Sequence, residues 1–131
     1  MSARSTSKRL HLIDSLLGGK KYNPRKIICP ACALPMYVSP RETNAEFTLR
    51  YTIITGAEPT AKEIKRRVAT VDHVKSQRNG GSLRWGNLVL ICQSCNVEKG
   101  PRPISEWAAW RAIKGRPIPP QFIKKLERKE R

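Results

Sequence analysis

VDHVKSQRNGGSLRWGNLVLICQSCNVEKG (71–100) is the stretch whose reading decides the fold. Two runs rich in apolar and β-branched residues, ATVDHV (69–74) and NLVLIC (87–92), flank a polar, Gly-bearing loop, SQRNGGS (76–82). Such an order predicts two strands joined by a connection. The second run passes directly into Cys92-Gln93-Ser94-Cys95, a two-residue knuckle. Gly100, Pro101 and Pro103 then stop any helix begun at Cys95 or Asn96 within about one turn. The expected class is therefore α+β.

Upstream, Cys29-Pro30-Ala31-Cys32 repeats the knuckle, and these two pairs hold all four cysteines of the chain. Four thiolates in two CxxC pairs are the donor set of a closed, tetrahedral, structural Zn²⁺ site. The interval between the pairs exceeds the ~15–20 residues of a simple ribbon, so the ion would clamp segments distant in sequence. Redox chemistry and unligated thiols are the other readings of CxxC. The N-terminal residues lack a long apolar core followed by a small-residue cleavage site, so no signal peptide is expected. A cytoplasmic, reducing setting follows, in which a disulfide framework is not expected.

Further out, the 131 residues suffice for one modest core. Leu10, Ile13, Leu16 and Leu17 share a helical face over 7–17, which Gly18-Gly19 closes. Around the first knuckle, Ile27-Ile28 and Met36-Tyr37-Val38 flank a Pro-containing turn, the pattern of a short zinc hairpin. Phe47, Leu49, Tyr51 and Ile53 alternate through 47–55, which predicts a strand. Thr60 and Glu63 form a capping-box signal for a helix over 60–68. A further helix is expected over 104–114, with Trp107 in the core and Trp110 either in the core or presented for base stacking. The last residues, 121–131, read as a frayed helix or a tail. The organisation expected is a basic N-terminal helix and arm (1–26), a zinc-stabilised core (27–103) with an insertion at 33–70, and C-terminal helices with a basic tail (104–131).

The charge narrows the partner. Lys and Arg total 26 against 10 Asp and Glu, a formal excess of +16 that calls for a polyanion. No apolar run approaches the ~20 residues of a membrane span, so no membrane partner is expected and nucleic acid is favoured. Of the two histidines, His11 lies in the N-terminal helix with no apparent partner, a surface or packing position. His73 follows Asp72 at a strand end.

In order, Cys29 and Cys32, Asp72-His73, Gly80-Gly81, Asn87-Leu88, Cys92, Cys95, Asn96 and Lys99-Gly100 resemble the HNH endonucleases over roughly residues 29 to 103. The resemblance implies a small ββα-metal core (a His-Me finger) with a structural four-cysteine zinc site and flanking helices. It also implies metal-dependent hydrolysis of phosphodiester bonds in DNA, double-stranded or branched, by a monomer or homodimer. His73 would be the general base that activates water, since an imidazole ordinarily titrates close to neutrality. Asp72 would ligate a catalytic Mg²⁺ or Mn²⁺ through a hard oxygen, with Ni²⁺ or Co²⁺ as further candidates. Asn87 would be the asparagine that braces the loop and orients the histidine. Asn96 stands where many members carry a second metal-binding histidine; it is expected as a ligand through its amide oxygen, or as a cap of the short helix. The recombination endonuclease VII family also ends its second knuckle in Cys-Asn, but has a further acidic-His step where this chain has Val74-Lys75. Arg66, Arg67, Lys75, Arg78, Arg84 and Lys99 are the expected phosphate contacts. The alternative function is a non-catalytic zinc-stabilised nucleic-acid-binding module with the same charge and the same cysteines. Because neighbours in a strand point to opposite faces, Asp72 and His73 can serve one site only where the strand ends or bulges.

Overall fold

In a computed structural model of the chain, the structure describes residues 3–17, 23, 27–39, 41–74 and 87–130, with backbone alone for 3–8 and 129–130. Eight elements are present there: α1 (Ala3–Leu16), α2 (Asn44–Thr55), α3 (Ala61–Arg67), β1 (Ala69–His73), β2 (Leu88–Cys92), α4 (Gln93–Lys99), α5 (Ile104–Ile113) and α6 (Pro120–Glu130). The mixture is α+β, as expected, with one antiparallel pair at its centre. Ala69 pairs with Cys92 and His73 with Leu88, so the strands run out together at the His73 end. All five residues of β2 are buried, the burial that a continuous apolar run calls for. No helix among the described residues is long and apolar enough to cross a membrane.

The first knuckle lies beside the start of β1. Cys29 N–H donates to the Leu34 carbonyl and Met36 N–H to that of Ile27, closing the expected small hairpin. Ala33 takes the left-handed conformation in its turn, at φ 64°. Tyr37 N–H then donates to Arg67 O and Ala69 N–H to Tyr37 O, each at 2.9 Å, so the hairpin's exit strand bridges Val68 in parallel. One core joins these parts. Ile13 of α1, Met36 and Val38 of the hairpin, Ile91 of β2, Trp107 of α5, and Phe122 and Leu126 of α6 belong to a single cluster. Phe122 and Leu126 stand one helical turn apart on the buried face of α6, so the segment expected as a frayed end or tail is a packed helix.

The expected strand at 47–55 is corrected: these residues are helical. Thr43 and Glu46 form a complete capping box, with Glu46 N–H donating to Thr43 Oγ1 and Thr43 N–H to Glu46 Oε1. Gly56, at φ 80°, ends the helix in the left-handed region that glycine enters without penalty. The alternation of Phe47, Leu49, Tyr51 and Ile53 is not the pattern that packs. The buried positions are Phe47 and Arg50, three apart, while Leu49 and Ile53 are exposed. Local capping and helical spacing outweigh the β-propensity of this segment.

Arg50 ties α2 to the hairpin. Its guanidinium donates to both carboxylate oxygens of Glu42 at 3.0 Å, to Ile27 O at 3.0 Å and to Met36 O at 2.6 Å. Both partners of this ion pair are buried. Removing one leaves the other charge buried and unmatched, a loss of about 3–5 kcal/mol, whereas replacing both by apolar residues is close to neutral. Arg50→Met should therefore lower the urea midpoint sharply, and Arg50→Met with Glu42→Leu should recover the part due to the unmatched carboxylate but not the part due to the Ile27 and Met36 carbonyls, which lose their donor in both. A single variant within about 1 kcal/mol of the parent would contradict this reading of the pair.

Candidate active site and metal centre

The two knuckles meet. Cys29 Sγ lies 3.8 Å from Cys95 Sγ, and Cys32 Sγ lies 3.8 Å from Cys92 Sγ. All four sulfurs fall within 4.8 Å of one another. Sulfurs bound about 2.3 Å from a tetrahedral zinc ion stand about 3.8 Å apart, so the donor set and its spacing fit that ion. No disulfide joins them. Packed this closely, the thiols titrate unequally. Contact with Cys32 raises Cys29, but contacts with Cys92 and Cys95 outweigh it and bring Cys29 to about 7. Cys32 is driven far below the ordinary thiol range, chiefly by Cys29, and Cys92 and Cys95 far above it, first by Cys29 and then by Cys32. Four mutually close thiolates need a cation among them, which is what a tetrahedral dication supplies.

Two buried arginines reach the cluster, each at a different cysteine. Arg67 Nη1 lies 3.3 Å from Cys32 Sγ, and Arg111 Nη1 lies 3.8 Å from Cys95 Sγ. Each is backed by an acid, Glu63 at 3.0 Å from Arg67 and Glu98 at 2.9 Å from Arg111. Burial alone would lower the Arg67 pKa, but the Cys92 and Cys32 sulfurs and Glu63 outweigh it and hold it above the ordinary value. Four thiolates around a dication carry a net charge of about −2, and these guanidinia offset it. The expectation that Arg67 contacts DNA is therefore corrected: it is buried against the cysteine cluster. Arg111 of α5, turned to Cys95, has the same role. Nothing in its sequence neighbourhood points to a cysteine.

The cluster sets the position of α4. Cys92 is the N-cap residue, and its sulfur accepts from Cys95 N–H at 3.5 Å. The helix thus begins at Gln93, earlier than expected, and the cap is a cysteine rather than Asn96. Asn96 instead turns to β1, where its Nδ2 donates to Thr70 Oγ1 at 3.0 Å. Thr70 has a single hydroxyl proton, which it gives to Ile91 O at 2.7 Å, so its oxygen can only accept from the asparagine. The amide is thereby held with Oδ1 left to accept or to ligate. Thr70 was not foreseen from the sequence.

One helical turn on, Lys99 reaches the next residue on the same face of β1. Its Nζ lies 3.2 Å from Asp72 Oδ2 and donates to the His73 carbonyl at 3.1 Å. Asp72 Oδ2 is buried and in charge contact with this ammonium, yet no directed hydrogen bond reaches it. Lys99 is 1% exposed, so the expectation of a DNA phosphate contact there is corrected as well.

β1 ends at His73, the strand end that the Asp72-His73 step requires if both are to serve one site. His73 Nε2 is buried and finds no hydrogen-bond partner among the described residues. Asn87 is buried just before the partner strand begins at Leu88, its carbonyl accepting from Val74 N–H at 2.8 Å. Lys99 thus touches both Asp72 and the His73 carbonyl, Asn96 touches Thr70 two residues earlier on β1, and Asn87 meets Val74 just past the strand end. Arg66 is exposed on α3, 3.8 Å from Glu63, and shares a groove between α3 and α4 with Lys62 and Lys65. Lys75, Arg78 and Arg84, with Gly80-Gly81, lie outside the described residues. Trp107 is fully buried, and its Nε1 donates to Glu98. Trp110 is half-buried, with Arg102, Lys114 and Arg116 around its ring at 5.6–6.0 Å.

Compared with protein families, residues 61–102 match the family described as HNH endonuclease, a span that runs from α3 through both strands and α4. No curated protein and no solved structure matches the chain.

Proposed function

We propose, with the HNH endonuclease segment at 61–102 as the premise, that the chain is a metal-dependent DNA endonuclease that hydrolyses phosphodiester bonds. The observation that carries the reading is the buried Nε2 of His73 at the end of β1, which has no hydrogen-bond partner among the described residues and belongs to the residue that follows Asp72. His73 acts there as general base, taking the proton of the attacking water at that nitrogen. Asn87, whose carbonyl accepts from Val74 N–H just past the strand end, is the asparagine that braces the loop and orients the imidazole in this reading. Asp72 and the held amide oxygen of Asn96 line one seam between β1 and α4, and as hard oxygen donors they suit Mg²⁺ or Mn²⁺ better than softer Ni²⁺ or Co²⁺. When bound, the ion neutralises negative charge on the phosphate and on the leaving oxygen. Cys29, Cys32, Cys92 and Cys95 hold a separate zinc ion whose four positions are all filled by protein, so its role is structural. Arg66 with Lys62 and Lys65 offers an exposed cationic strip to the DNA backbone, and binding should weaken steeply with salt.

The two metals are separable by experiment. Zinc held by four thiolates resists brief exposure to EDTA, whereas an ion held by one carboxylate and one amide exchanges quickly. EDTA should stop the nicking of supercoiled plasmid while the zinc content and circular dichroism stay unchanged, and added Mg²⁺ or Mn²⁺ should restore it. Cleavage that persists in EDTA with zinc retained would rule out a catalytic divalent ion.

A further inference from the structure

We propose that Lys99 is a resident counter-cation of the catalytic centre, which keeps divalent-ion binding weak in the free protein and makes it depend on a DNA phosphate. This rests on the reading of Asp72 and Asn96 as ligands of a divalent ion.

The geometry is specific. Lys99 is 1% exposed, one of the most deeply buried polar side chains among the described residues, and its stem is enclosed on the inner face of α4. Its ammonium is anchored by a directed hydrogen bond to the His73 carbonyl, and it faces the Asp72 carboxylate without a directed bond. Charge contact without directed hydrogen bonding leaves Oδ2 able to turn to another cation while Lys99 keeps its anchor.

Charge counting gives the consequence. Asp72 contributes −1 and Asn96 contributes nothing, while Lys99 returns +1 at 3.2 Å from the ligand oxygen. A dication entering the seam therefore meets no net attraction from these three side chains. Of the groups facing the seam, Thr70 is neutral and spends its proton on Ile91. The missing negative charge has to arrive with the substrate, and a backbone phosphate carries it. Ion and DNA then bind with positive coupling, and by linkage each tightens the other by the same factor. A unit charge repelling a dication across about 5 Å alters affinity by about tenfold even at water-like screening.

The test titrates Mn²⁺ against zinc-replete protein, reading free Mn²⁺ by electron paramagnetic resonance, with Asp72→Asn subtracted as background. Lys99→Met should bind Mn²⁺ about tenfold more tightly than the parent in the absence of DNA. Equal or weaker binding by a folded Lys99→Met chain would overturn the inference while leaving the ion site intact. Because that variant loses a buried charge partner, a second measurement needs no change at position 99. In a His73→Ala background, which keeps the DNA uncut, a short duplex should tighten Mn²⁺ binding at least about tenfold over the sum of the separate titrations. Independent binding would overturn the inference too. Failure of the parent to bind Mn²⁺ above the Asp72→Asn background, with or without DNA, would overturn the ligand reading itself.

Discussion

Replacing Cys95 by serine, or removing the ion from the four-cysteine cluster, is expected to unfold the chain. Cys95 ties two segments distant in sequence: its sulfur lies against Cys29, far upstream, while Cys92 caps the helix that carries Asn96 and Lys99. Zinc in a closed thiolate site contributes about 10–16 kcal/mol of apparent binding energy at neutral pH. Whole-domain stability is about 5–15 kcal/mol, so loss of the ion exceeds what the remaining core can absorb. Arg67 and Arg111 deepen the loss, since both are buried with their guanidinia turned to the sulfurs. Circular dichroism should show collapse of the folded signal as a strong chelator extracts one zinc per chain, and Cys95→Ser should not fold. A cooperative melt at the parent's temperature after complete zinc removal would show that the cluster is dispensable.

The second large effect is on rate. His73→Ala should lower single-turnover cleavage of a duplex by about 10²–10⁴, the usual contribution of a positioned general base. Stability should hardly change, because the imidazole is only half-buried at a strand end and its Nε2 makes no hydrogen bond among the described residues. DNA affinity should also hold, since the exposed cations of α3 are untouched. His73→Ala therefore separates loss of chemistry from loss of fold. A variant that cleaves within about threefold of the parent would remove His73 from the role of base.

The parts of this molecule that were legible in the sequence are those where chemistry constrains spacing. Two CxxC pairs supply the four thiols of a closed metal site, and their sulfurs do converge. NLVLIC and ATVDHV read as strands because neither contains a helix signal, and they pair in register. The segment 47–55 was misread because alternating bulky residues also satisfy a helix when a cap precedes them. The same Thr-x-x-Glu signal that marks 60–63 stands at 43–46. The cations were the least legible. Arg67 and Lys99 sit in sequence among residues that would suit a DNA face, yet both are buried beside negative partners. A lysine's neighbour in space cannot be read from its neighbours in the chain. One clue was present for Lys99: three residues after Asn96, it shares that residue's helical face, and whatever faces Asn96 must lie near it. The Glu42–Arg50 pair and Thr70 gave no such clue, since their partners come from other elements.

The nuclease reading meets its most direct test in supercoiled plasmid incubated with zinc-replete protein and Mg²⁺ or Mn²⁺, beside His73→Ala prepared identically. Nicked or linear product from the parent, and none from the variant at equal DNA binding, is the expected outcome. Retention of DNA by both, with no cleavage by either in Mg²⁺, Mn²⁺, Ni²⁺ or Co²⁺, would contradict it and leave a zinc-stabilised nucleic-acid-binding module.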